Sequence, residues 1–124
     1  MSSQLDGTGQ IKLATLDEAV SQMQRLHGIV ERYAMAVRNQ QEAGGFRQQL
    51  VRAGTPLAGL LKPQFSVIAD VVASFLLIAS RGGGDQAKVR ALRESVASIR
   101  AQLEIAATKV KEKHAVAAPE ARPD

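Results

Sequence analysis

The sequence predicts an all-α protein: an antiparallel up-down-up bundle of three long helices, the middle one kinked or split near Pro56 or Pro63, with disordered tails at both ends. Three observations predict this. Apolar residues recur at alternating steps of three and four along two long segments, which puts one apolar stripe on a helix face. The clusters Gly44-Gly45 and Gly82-Gly83-Gly84 separate the periodic segments. Aromatics are only 3% of the chain and Trp is absent, so the core must be aliphatic, which suits helix-on-helix packing. A length of 124 residues makes one domain, placed at 14–114 between a polar leader, 1–13, and an Ala/Pro-rich tail, 115–124.

Helix 1 is expected over about 15–43. Thr15 suits an N-cap, and Glu18 stands where a capping box wants its acid. Leu16, Ala19, Met23, Leu26, Val30, Tyr33 and Val37 then form the stripe, and Gly44-Gly45 offers a left-handed stop.

The middle segment is less regular. Phe46–Ala53 reads as helical, Gly54 interrupts, and Thr55-Pro56 is a restart signal with proline at a first helical position. Pro63 inside a helix would remove a hydrogen bond and force a kink. Residues 46–80 are therefore expected as one kinked element running one way, best formed over 63–80. Within it, Phe65, Ile68, Val72, Phe75 and Ala79 make one face, and Val67, Val71 and Ile78 a second. A helix apolar nearly all round is normally buried on most sides.

The last helix carries the clearest pattern. Val89, Leu92, Val96, Ile99, Leu103, Ala106 and Val110 hold an a/d heptad seam, the mark of long, nearly antiparallel packing. Asp85 is the expected N-cap. Lys109, Lys111, Lys113 and His114 sit at the negative end of the helix dipole.

No catalytic set stands out, and no enzyme activity, cofactor or metal is expected. Without cysteine there is no thiolate zinc site or Cys nucleophile, and a cytoplasmic setting fits. His27 and His114 lack a Glu-x-x-His partner, and the RGGGD stretch lacks the strand and Lys-Ser/Thr of a phosphate loop. A membrane span fails too: the apolar run of residues 63–80 reaches roughly 16 positions against about 20 needed. Asp70 in its middle adds about 2.5–3.5 kcal/mol of insertion cost.

What remains is an excess of apolar helix surface. The expected function is therefore helix–helix contact, as an oligomerising adaptor, scaffold or small chaperone, with another copy or another helical protein as partner. The partner-binding residues are read as Leu60, Leu61, Val67, Val71 and Ile78. Asp70 would face water at a seam or pair with Arg25, Arg32 or Arg81. A second reading is sequence-independent binding of nucleic acid or another polyanion. It follows from the net charge of +4, concentrated in Lys88, Arg90, Arg93, Arg100, Lys109, Lys111 and Lys113. Interleaved Glu94, Glu104 and Glu112, and the lack of aromatics for base stacking, count against it. Reversible association with a lipid surface is third.

Overall fold

The structure, a computed structural model, describes residues 5–115. It contains four helices: α1 Gly7–Arg38, α2 Phe46–Leu61, α3 Ser66–Ser80 and α4 Asp85–Lys113. Apart from one bridge between Leu5 and Ala115, no strand pairing occurs among the described residues. The fold class is all-α as expected, but the three-helix count is corrected to four. Residues 46–80 do not run one way. Chain reversal falls at residues 62–65, where Pro63 cannot donate and the Phe65 N–H closes on the Leu61 carbonyl at 2.7 Å. Pro56, in contrast, lies inside α2 without ending it. The result is an up-down-up-down ring in which each helix borders two others, α1 with α2 and α4, and α3 with α2 and α4.

The limits of α1 also differ from expectation. It starts eight residues before Thr15, so residues 7–13 of the expected leader form its first turns. Asp6 is the N-cap, accepting from the Gly9 N–H at 2.7 Å. Thr15 is interior, and its hydroxyl donates to the Ile11 carbonyl. The expected tail beyond Ala115 lies outside the described residues. At the other end α1 stops at Arg38, before Gly44-Gly45 is reached. The Gln41 N–H bonds the Ala36 carbonyl and the Gln40 N–H the Val37 carbonyl, a Schellman closure. This closure holds Gln40 at φ 57°, left-handed for a residue with a side chain. Gln40→Gly is therefore expected to raise stability by about 1 kcal/mol, seen as a higher urea midpoint; no gain would mean that residue 40 carries no strain.

The last helix begins one residue early as well. Gly84 takes the N-cap position, and Asp85 is the first helical residue. Freed from capping, the Asp85 carboxylate accepts a 2.6 Å hydrogen bond from the Tyr33 hydroxyl.

The core joins the expected stripes of α1 and α4 to Leu50, Leu57 and Leu61 of α2 and Ile68, Val72, Phe75 and Ala79 of α3. The helices are unequal. At 1.5 Å per residue α1 and α4 run about 48 and 44 Å, and α2 and α3 only about 22–24 Å. Tyr33 meets Phe46, and Gly54 lies beside Leu26, so α2 ends near residue 19 of α1. Below that level α1 and α4 continue as a two-helix extension, in which Val110 is still buried.

The tip of the extension is fastened. The Asp6 N–H donates to the His114 carbonyl, and the His114 ring lies between the Asp6 carboxylate, 3.2 Å from Nδ1, and Lys12 Nζ, 3.4 Å from Nε2. A Cβ on Gly9 would stand 2.5 Å from the His114 Cβ, so this glycine serves close approach. Its backbone N–H, followed by His114, holds the Asp6 carboxyl below the usual carboxylate range.

Candidate functional site: the outer face of α3

Helix α3 carries one charge, Asp70, in 15 residues. Its inner face, Ile68, Ala69, Val72, Phe75 and Ala79, is buried. Helical periodicity then turns Val67, Asp70, Ser74 and Leu77 outward, and all four are exposed. Val67 is 67% and Leu77 65% exposed, the two largest values among the exposed large apolar residues. Val71 and Ile78 are half-buried on one flank. Ile78 shares a cleft with Ala87, Lys88 and Ala91, which places that flank beside α4. Asp70 forms no ion pair among the described residues, neither with Arg25 and Arg32 nor with Arg81.

Of the five expected contact residues, Val67 lies on this face, and Val71 and Ile78 are half-buried at its edge beside α4. Leu60 is half-buried on α2. Leu61 is wholly buried in the core, so its assignment to a contact surface is corrected. Leu77 was not among the expected residues. Its signal was available, since it falls one turn after Ala73 and ten residues after Val67, on the outward side.

The cations of α4 do not form one surface. Arg93, Arg100 and Lys111, spaced by seven and eleven, lie on one side, and Lys88, Lys109 and Lys113 on nearly the opposite one. Arg93 is engaged: its Nε and Nη2 donate to the two Glu31 oxygens at 2.9 and 2.8 Å. That pair holds the Glu31 carboxyl below its usual range. Lys88 is half-buried beside a cavity of about 370 Å³ at the loop end of the ring, lined also by Tyr33, Glu42, Arg47 and Asp85. Burial, and then the hydrogen bond to Asp85, keep the Tyr33 phenol protonated well above its ordinary range.

His27 is partly exposed, 3.8 Å from Glu31. No group of three His, Asp or Glu that could hold a metal occurs among the described residues. Among them too, no helix is long and apolar enough to cross a membrane. No protein-family model, curated protein or solved structure matches the chain.

Proposed function

We propose that the protein is a non-enzymatic helical interaction module, an oligomerising adaptor, scaffold or small chaperone, whose contact surface is the outer face of α3. The observation that carries this reading is the exposure of Val67 and Leu77 on a helix with a single charge. Each apolar side chain of this size forgoes about 1.5–3 kcal/mol while it stays wet. A second copy of the chain is the first partner to test. Paired through α3, two copies bring together nearly uncharged faces in a protein of net charge +4. A C2 pairing needs only such a self-complementary patch.

The test is absolute mass by light scattering over a dilution series, at low and high salt. The expected result is a dimer or larger assembly insensitive to salt. In the double variant Val67→Glu/Leu77→Glu it dissociates at least about tenfold more readily, with helicity retained. A protein that stays monomeric at every concentration and salt overturns self-association through α3.

Lys88, Lys109 and Lys113 point away from the other four cations of α4, so no basic face for a polyanion spans all seven.

A further inference from the structure

A second surface lies on the other side of the molecule, with chemistry opposite to that of α3. Helices α1 and α4 enclose a groove of about 620 Å³ to which neither α2 nor α3 contributes. Its apolar lining comes from Ala34, Val37 and Val89, and Arg38, Arg90 and Arg93 stand around it. Glu94 is the one carboxylate in that lining. Arg93 is oriented by Glu31, and its Nη1 group makes no hydrogen bond among the described residues. Arg38 and Arg90 are exposed, and neither forms an ion pair among the described residues. The rim therefore presents two free guanidinium groups and one pre-aimed one above an aliphatic floor.

The geometry points to this groove as a docking site for an acidic peptide segment of a partner protein, one that places an apolar side chain on Ala34, Val37 and Val89 and carboxylates on Arg38 and Arg90. Charge complementarity selects the occupant. Guanidinium groups bind carboxylates through two parallel hydrogen bonds, so two free arginines favour a segment with acids on either side of its apolar anchor. A second copy of this chain is disfavoured, because three arginines against the single carboxylate Glu94 would meet the same positive rim. Nucleic acid is disfavoured because the floor has no aromatic ring on which a base can stack.

The experiment is fluorescence anisotropy on the full chain with a labelled synthetic peptide of alternating Glu and Leu pairs. The same peptide with Gln for Glu, and a single-stranded DNA of matched charge, serve as comparisons. Expected is saturable binding of the Glu peptide, weakened about tenfold or more by the Gln peptide and by Arg38→Gln/Arg90→Gln. Both arginines are exposed, so that variant keeps its fold, checked by circular dichroism. Val67→Glu/Leu77→Glu, on the far surface, leaves peptide binding unchanged, which separates a failure here from a failure of the α3 reading. Absence of peptide binding, or binding untouched by the arginine substitutions, overturns the assignment. So does DNA that binds more tightly than the peptide and is lost with the same arginines, which would make the groove a phosphate site.

Discussion

Replacing Phe75 with alanine is expected to cost about 3–5 kcal/mol, the largest effect of any single truncation in this protein. Phe75 is fully buried and is the bulkiest of the wholly buried side chains. The one aromatic pair among the described residues is Tyr33 with Phe46, so no ring is stacked on Phe75 to close over the void. Domains of this size hold about 5–15 kcal/mol in all, so the variant sits close to unfolding. Urea denaturation is the measurement. The midpoint falls sharply while the slope stays constant, because a cavity changes stability and leaves the surface exposed on unfolding nearly unchanged. Phe46→Ala, at a half-buried ring stacked loosely on Tyr33 with centroids 5.5 Å apart, costs clearly less. Equal losses at the two positions would contradict the difference in burial between the two rings.

The second large effect is expected at Gly54, and in the opposite steric sense. A Cβ there would stand 2.7 Å from Leu76 Cδ2 and 3.8 Å from Leu26 Cδ2, where α2 is closed on both sides. Gly54→Val forces Leu76 off its place and costs about 1–3 kcal/mol through overpacking. Gly59, in the same helix, has open space around its Cβ position. Gly59→Ala there gains up to about 1 kcal/mol from helix propensity alone. Thermal melts of the two variants should therefore move apart from wild type in opposite directions. If both rise, Gly54 is a flexible linker after all, as its place before Thr55-Pro56 suggests in the bare sequence.

That glycine shows what pattern reading could and could not reach. The stripes of α1 and α4 were legible because burial repeats every three or four residues, whatever the packing partner. The inner face of α3 was legible for the same reason. Connectivity was less so. Pro56 and Pro63 carry the same local restriction, yet one lies inside α2 beside the buried Leu57 and the other at the corner that follows the buried Leu61. Gly54 looked like a break because a glycine needed for close approach and a glycine needed for a turn are identical in one dimension. Helix ends were displaced where capping came from residues that the reading of breaks and leaders had passed over. Gln40 took the left-handed position in place of a glycine, and Asp6 capped a segment that composition had marked as a polar leader.

The candidate surfaces divide along the same line. Val67, Val71 and Ile78 followed from counting turns along one helix. The groove between Arg38 and Arg90 did not, because its two sides come from helices 52 residues apart, and the sequence offers no register between them until Tyr33 meets Asp85. The basic side of α4 was overcounted for a related reason. Charge totals ignore azimuth, and Arg93 already belonged to Glu31.

The unequal helix lengths also set an order in time. The α2–α3 hairpin turns within four residues, so its pairing closes a short loop and forms early. The seam between the long helices joins Asp6 to His114, 108 residues apart, and forms only after everything between them has been brought into place. In the two-helix extension no other helix braces that seam. The native ring is therefore expected to close last, and to open first, at the clasp where the two ends of the described chain meet.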